Sequence, residues 1–363
     1  MSDAHVEVSP QVGDDKNTVR LLVNGQDFTG WEEVEIFTSF EHLATVFRLR
    51  MTEFGGVFLV VEGDRCQVVI GTDLVVTGWV DAVTREISAQ AHLVEVQGRD
   101  LTCDLVDCCA ELDGGHLTGQ NIHQIANTLA SRYAVPVDLF AGPGEPFGVV
   151  AVHPGETNFA LLERLARQRG LLLTSDPEGD LRITKPGKEI SAGSLIEGEN
   201  VLSAKYTRSL TERYSVYLVL GQSHLTDESA PQAAFGQKGQ ARDYDVTRYR
   251  NQVVVAEAHG DDATMDRRAA WEAAVRSGRG QALAVLVPGW KGPDDVLWRP
   301  NALVRVEIPT LGIDDTLLLA ACRYTLDKDG TRTELTLYPQ DAFDPAPYKL
   351  GNKSKSKKQK GAA

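Results

Sequence analysis

The chain has 363 residues, of which 42% are hydrophobic and 24% charged, with a formal net charge of −14 at pH 7. This length exceeds one ordinary core, so we expect two or three domains, and the acidic balance argues against a nucleic-acid binder that neutralises phosphates with a basic face. No apolar run approaches the roughly 20 residues that span a bilayer, and the polar residues 1–17 lack the pattern of a secretory signal. We therefore expect no membrane insertion.

The first hundred residues have a β pattern. From Thr45 to Met51 apolar and polar side chains alternate with a period of two. The runs 57–61 and 68–76 are rich in β-branched residues and are bounded by Gly and Asp, which form turns. Many short, evenly spaced strands are typical of a sandwich or barrel. We predict a first antiparallel β-barrel domain over residues 1–112.

A small α+β module follows. Apolar residues fall at helical spacing between 122 and 133, and Thr118 is the predicted N-cap of that helix. A second helix is predicted from 157 to 169, and a hairpin across 171–184. The module is assigned to residues 113–199, so that the barrel domains flank or enclose it.

The β pattern returns after residue 200. A polar segment over 222–245 is predicted as a long loop, and a helix of about 261–278 as an insertion. The second β-barrel domain is assigned to residues 200–343, and residues 344–363 are predicted to be a flexible Lys-rich tail. The predicted strands of the second barrel domain are 214–220, 283–287, 303–308, 316–321 and 333–338.

The two β regions resemble each other at a constant offset of 241 residues. Thr84 then meets Thr325, Val94 meets Leu335 and Asp100 meets Asp341. The identities are few, so duplication is a hypothesis. Three copies of a chain with two similar barrels would present six similar faces, which lets a threefold object dock onto a sixfold one.

No nucleophile elbow, P-loop, dinucleotide fingerprint, HExxH or EF-hand loop is present. His153 and Glu156 could form an acid/base pair, but a turn and cap opening the helix at 157 is the favoured interpretation. The phrase 152–157 also looks like the opening of a LysM peptidoglycan-binding module. The five cysteines include no CxxC pair, so we expect reduced thiols, no metal, no cofactor and no enzyme activity.

Two groups of residues are candidates for an interface. Trp290 and Trp298 flank a loop that contains Gly289, Gly292 and Pro293, and tryptophans often anchor interfaces. The last thirteen residues hold five lysines and no acidic residue, so they could dock onto an acidic partner. The candidate interface residues are Trp290, Trp298, Lys353, Lys355, Lys357 and Lys358.

Four stretches resemble the Mu-like phage tail baseplate hub family. They are residues 22–31 (LVNGQDFTGW), 76–85 (VTGWVDAVTR), 96–107 (VQGRDLTCDLVD) and 200–222, with Asn-Val-Leu-Ser-Ala at its start. The resemblance extends to about Asp344, and the stretch 96–107 is the strongest match.

This resemblance implies a structural, non-enzymatic protein of the virion tail, assembled in the host cytoplasm. Its implied form is a homotrimer with a central channel, which joins the tail tube and other baseplate proteins to the central spike. DNA would pass through as cargo only. The alternatives are a hub or spike component of a type VI-like or pyocin-like injection system, and a LysM-like peptidoglycan-binding tail protein.

Overall fold

The computed structural model describes residues 16–52, 58–89, 92–221, 238–255 and 262–343. Contacts divide these residues into two compact units. Unit 1 contains the described residues up to 166 together with 171–208 and 281–340, and unit 2 contains those of 167–170, 209–280 and 341–343. None of the described helices is long and apolar enough to cross a membrane.

The secondary structure is mainly β, as the sequence predicts. The strands are β1 Val19–Val23, β2 Gln26–Phe28, β3 Glu33–Ser39, β4 Val46–Thr52, β5 Arg65–Ile70, β6 Asp73–Ile87, β7 His92–Asp100, β8 His116–Thr118, β9 Val137–Leu139, β10 Val149–Ala151, β11 Leu172–Ser175, β12 Leu181–Thr184, β13 Leu195–Ile196, β14 Ser203–Arg208, β15 Val216–Leu220, β16 Lys238–Arg242, β17 Asn251–Val255, β18 Gln281–Pro288, β19 Leu303–Ile308, β20 Ile313–Asp327 and β21 Gly330–Tyr338. The α-helices are α1 Cys103–Asp107, α2 Ile122–Ala130, α3 Asn158–Arg169 and α4 Asp262–Arg279.

One large sheet carries most strands of both predicted barrels, whereas the predicted strand 214–220 lies in a separate sheet as β15. The order of the large sheet is β14-β18-β21-β20-β3-β4-β7-β6-β5-β1-β2, with β19 paired to β20 and β13 to β19. The two sets of strands meet where β20 pairs antiparallel with β3, from Ala321↔Ser39 to Leu326↔Val34. Over the described residues no sheet closes on itself, so two separate barrels are not confirmed. Local alternation predicts strands, but it does not say which distant strand lies beside which.

The predicted repeat is present as a repeat of strand pairing. The β6–β7 hairpin has a bulge between Val80 and Ala82, and the β20–β21 hairpin has one between Leu319 and Ala321. Aligning the bulges also aligns the partner strands, because Val80 pairs with Gly98 and Leu319 pairs with Leu337. The two hairpins are therefore equivalent, at an offset of 239 residues on both strands. The offset of 241 predicted from the sequence is wrong by two residues, which keeps every side chain on the correct face.

The inner face of the large sheet forms the main core. Ile36 of β3, Phe47 and Leu49 of β4 and Val96 of β7 are fully buried in one cluster. Each such side chain stabilises the fold by about 1.5–3 kcal/mol relative to an exposed one. The core accounts for the period of two that is visible in the sequence, since alternate residues on these strands face it.

The α+β module has its own core between α2, α3 and the sheet β11-β12-β9. Asn121 caps α2, and its side chain accepts a hydrogen bond from the backbone N of Gln124, whose side chain accepts one from the backbone N of Asn121. The prediction of Thr118 as the cap is wrong, because Thr118 lies in β8. The Asn-x-x-Gln spacing of a capping box is the sequence signal that locates the true start.

Unit 2 is a three-stranded sheet, β16-β15-β17, covered on one face by α4. Tyr217 and Val219 of β15 are buried against Met265 and Ala269 of α4. A Cβ at Gly239 of β16 would lie 2.0 Å from the carbonyl carbon of Met265. Only glycine permits this close approach of the helix to the strand.

Candidate interaction surfaces

Trp290 and Trp298 are core residues of unit 1, each with only 1% of its surface exposed. The Nε1 of Trp290 donates to the carbonyl of Thr325, and the carbonyl of Trp298 accepts from the hydroxyl of Tyr324. The prediction that the two tryptophans face a partner is corrected by this burial.

The loop between these tryptophans folds back on itself through a β-bridge between Lys291 and Leu297. A Cβ at Gly292 would lie 2.0 Å from the carbonyl oxygen of Ala192, so the loop is tightly packed there. The lysine candidates 353, 355, 357 and 358 lie outside the described residues.

His153 and Glu156 are brought together by a turn rather than by side-chain pairing. The carboxylate of Glu156 accepts a hydrogen bond of 3.0 Å from the backbone N of His153, and one of 3.0 Å from Nε of Arg164. Burial alone would raise the pKa of Glu156, but these hydrogen bonds and the charge of Arg164 outweigh it and hold the pKa below its ordinary value. Glu156 therefore ties the strand-to-helix turn to α3.

One group of carboxylates among the described residues has the spacing of a metal site. Ligand atoms of Asp138, Asp176 and Asp180 lie within 4.8 Å of one another. Asp176 already accepts hydrogen bonds of 2.9 Å from Nε of Arg182 and from the backbone N of Asp180. Burial and the charges of Asp176 and Asp138 raise the pKa of Asp180. Because a guanidinium compensates the buried member of the group, we assign no metal to it.

The outer face of the large sheet is a charged surface that runs from β14 to β6. Residues that pair across neighbouring strands face the same side, so Glu334, Arg323 and Phe37 form one row and Glu35 and Arg48 share the next. The guanidinium of Arg323 lies 4.8 Å from the ring centroid of Phe37.

Every arginine on this face that belongs to the six strands from β21 to β6 has a carboxylate partner. Burial would raise the pKa of Glu95, but hydrogen bonds from Arg48 and Gln97 lower it below its ordinary value. The charge of the arginines on these six strands is thus already compensated. The pairs are Arg48–Glu95 at 2.9 Å, Arg50–Glu33 at 3.5 Å, Arg99–Asp81 at 2.6 Å, Arg323–Glu35 and Arg332–Asp327.

Three family models match successive parts of the chain. Residues 18–100 match the N-terminal part of the Mu phage baseplate assembly protein GpP-like family. Residues 102–185 match the second domain of the gp44-like baseplate hub proteins, and residues 262–346 match the fourth domain of GpP. The segment with the LysM-like phrase thus lies within a match to a hub domain.

Solved structures with the same fold include two tail proteins. The 43 kDa tail protein of prophage MuSo2 from Shewanella oneidensis is 32% identical with a TM-score of 0.81, covering 91% of this chain and all of that one. A tail protein from Neisseria meningitidis MC58 is 26% identical with a TM-score of 0.78, covering 91% of this chain and 99% of that one. A type VI secretion component of E. coli, described as similar to the T4 tail proteins gp27 and gp5, shares the fold at 10% identity and a TM-score of 0.54, covering 92% of this chain and 80% of that one.

The baseplate hub protein gp44 of Escherichia phage Mu is 32% identical over 339 residues, which are 90% of this chain and 89% of that protein. Identity at this level over nearly the whole length, together with the three family models in chain order, confirms the resemblance carried by the stretches 22–31, 76–85, 96–107 and 200–222. The chain belongs to the family of Mu-like phage tail baseplate hub proteins.

Proposed function

We propose that this chain forms a trimeric ring in the tail baseplate, joins the tail tube to the central spike, and catalyses no reaction. The observation that carries this proposal is the extended similarity to the phage Mu hub protein. The duplicated strand order supports it, because three copies of a duplicated chain offer six similar elements to a sixfold tube. Its partners would then be two further copies, the spike, the tube and other baseplate proteins, assembled in the host cytoplasm.

The outer sheet face supports a channel that lets DNA pass. A channel wall must not hold DNA, and free arginines would bind its phosphates. The arginines of the face, such as Arg323 and Arg48, are held by Glu35 and Glu95 instead. We propose that this face lines the channel and that its carboxylates keep the arginines from binding the passing duplex.

Light scattering on the purified protein tests the ring, with an expected mass near three times the 39.6 kDa chain. Negative-stain images should show a threefold ring with a central hole. A mass of one chain at micromolar concentration would contradict the proposal.

A double variant, Glu35→Gln and Glu95→Gln, tests the channel face. It should bind duplex DNA more tightly than the unmodified protein, with an affinity that falls steeply as salt rises. As a control, Glu62→Gln removes an exposed carboxylate outside the six strands and should leave DNA binding unchanged. Equal DNA binding by both variants would refute the assignment of the face.

A further inference from the structure

Strand β20 has two different neighbours along one edge. Before its bulge, residues 313–318 pair with β19. After the bulge, residues 321–326 pair with β3 in six antiparallel pairs. This second contact is the junction at which the C-terminal set of strands meets the N-terminal set.

Strand β6 is the equivalent of β20 in the first repeat, and it has only half of these contacts. Before its bulge, residues from Asp73 to Trp79 pair with β5. After the bulge, Ala82 to Ile87 pair with β7 on one side, and no described strand lies on the other. At the opposite end of the sheet, β14 pairs with β18 alone. Among the described residues, the second half of β6 and the whole of β14 therefore each have one unpaired edge.

The two free edges are the counterparts of the two strands that meet inside the chain. Gly98 of β7 corresponds to Leu337 of β21. Gly98 pairs with Phe47 of β4. Leu337 pairs with Leu283 of β18, so Phe47 and Leu283 also correspond. Continuing outward, Phe47 pairs with Ile36 of β3. Leu283 pairs with Tyr206 of β14. Strand β14 therefore holds the place in the second repeat that β3 holds in the first.

Equivalent residues of β20 and β6 differ in exposure, because β20 has β3 beside it and β6 has no described strand in that place. Of the β20 residues at the junction, Cys322 and Tyr324 have 0% and 1% of their surface exposed. Their counterparts in β6 are Val83, which is half-buried, and Arg85, which is exposed. Ile87 leaves 77% of its surface in solvent. A long unpaired edge with an exposed isoleucine is a site at which another strand can add.

We propose that β6 of one copy pairs antiparallel with β14 of a second copy, in the register of the internal β20–β3 junction. This inference rests on the proposed trimer and names the strands that close it. Inside the chain Tyr324 lies opposite Ile36, so Arg85 lies opposite Tyr206 of the second copy. The next pairs along the strands are Glu86 opposite Lys205 and Ile87 opposite Ala204.

This register brings complementary side chains together. Glu86 and Lys205 are both exposed, and neither has an ion-pair partner among the described residues. They face the charged outer surface, as Glu35 and Arg323 do at the internal junction. On the other face, Ile87 would meet the half-buried Ala204, which packs against the main core. Opposite charges and apolar pairs on facing strands each stabilise the pairing.

The contact is head-to-tail, because each copy supplies one β6 edge and one β14 edge. Such contacts close into a ring when the rotation between copies permits it. In a ring of three copies, the junctions inside chains and those between chains would alternate. No strand edge of this type would then remain open.

Charge reversal tests the pairing. Glu86→Lys and Lys205→Glu should each weaken every junction about fivefold, and so lower the trimer association constant by about a hundredfold. In a sedimentation series, each single variant should then dissociate at a protein concentration about tenfold higher than the unmodified trimer does. The double exchange, which restores opposite charges, should restore a mass of three chains.

Cross-linking tests the register. With Cys at positions 86 and 205, through Glu86→Cys and Lys205→Cys, oxidation should produce a covalent ladder up to three chains. The control carries Glu86→Cys with Arg208→Cys, which faces the other side of the strand, and should give no more than the unmodified chain.

Two results would overturn the inference, and they differ in what else they affect. If the unmodified protein is trimeric but neither reversal changes its mass and the 86–205 pair does not cross-link, the edge pairing is refuted and the trimer stands. If the unmodified protein has the mass of one chain at all concentrations, the trimer and the edge pairing fall together.

Discussion

Replacing Asp100 with alanine should be among the most damaging changes in the chain. Asp100 ends β7 and is fully buried. Its carboxylate accepts hydrogen bonds of 2.6 Å from the backbone N of Thr45, and of 2.9 Å and 2.6 Å from the backbone N and hydroxyl of Thr102. It thus fastens the end of β7 to the start of β4 and to the entry of α1.

The cost follows from the donors that lose their acceptor. Each buried donor left without a partner costs about 1–3 kcal/mol. Two backbone N–H groups are in this position, whereas the hydroxyl of Thr102 can rotate toward another acceptor. Asp100→Ala should therefore lower the free energy of unfolding by about 3–5 kcal/mol, and the melting temperature by roughly 10 °C. Asp100→Asn keeps one acceptor oxygen and should cost about half as much.

Urea unfolding followed by tryptophan fluorescence measures the free energy of unfolding directly, since Trp290 and Trp298 are both buried. Asp81→Asn is the matched control, because Asp81 pairs with Arg99 at 2.6 Å but its side chain is 36% exposed. That change should cost no more than about 1 kcal/mol. An Asp100→Ala protein within about 1 kcal/mol of the unmodified chain would refute the role given to this carboxylate.

Three further predictions concern other parts of the fold. Gly98→Ala should destabilise strongly, because its Cβ would lie 2.2 Å from the carbonyl oxygen of Trp79, whereas Gly148→Ala meets nothing within 4 Å; equal melting temperatures would contradict this. Native protein should react with a thiol reagent at the exposed Cys109 well before the buried cysteines, since burial also raises the pKa of Cys66 to about 12; mass spectrometry of the labelled peptides checks the order. Glu156→Gln should reduce stability by about 1 kcal/mol at pH 7. Because the folded pKa is lowered, this difference should vanish as pH falls from about 4.3 through the folded pKa, and a constant difference would count against it.

The sequence predicts the elements of the large sheet well and their arrangement poorly. The predicted strand 303–308 matches β19 in both bounds, because alternation reports directly on which face of a strand is buried. The pairing of β20 with β3 joins residues about three hundred positions apart, and no local pattern specifies such a partner. Two barrels were therefore predicted where one sheet connects the two repeats.

The candidate site shows the same limit. Trp290 and Trp298 were assigned to an interface because Gly and Pro surround them, and Gly-rich loops often lie at the surface. Here Gly292 instead permits close contact with the backbone of Ala192. The residues now placed at the proposed interface, Glu86 and Lys205, carry no distinctive sequence signal. Only the comparison of two hydrogen-bonded registers identifies them.

Register also explains why a charged pair would sit at the proposed junction. A slip of one residue along β14 would turn Lys205 away from Glu86 and bring Tyr206 or Ala204 opposite it, on the wrong face of the sheet. A slip of two would keep the faces but separate the opposite charges, because Ser203 or Thr207 would then lie opposite Glu86. Backbone hydrogen bonds alone would tolerate either slip, since every residue offers the same groups. The pair Glu86–Lys205 therefore favours one register, and a ring can close only if all its junctions adopt the same one.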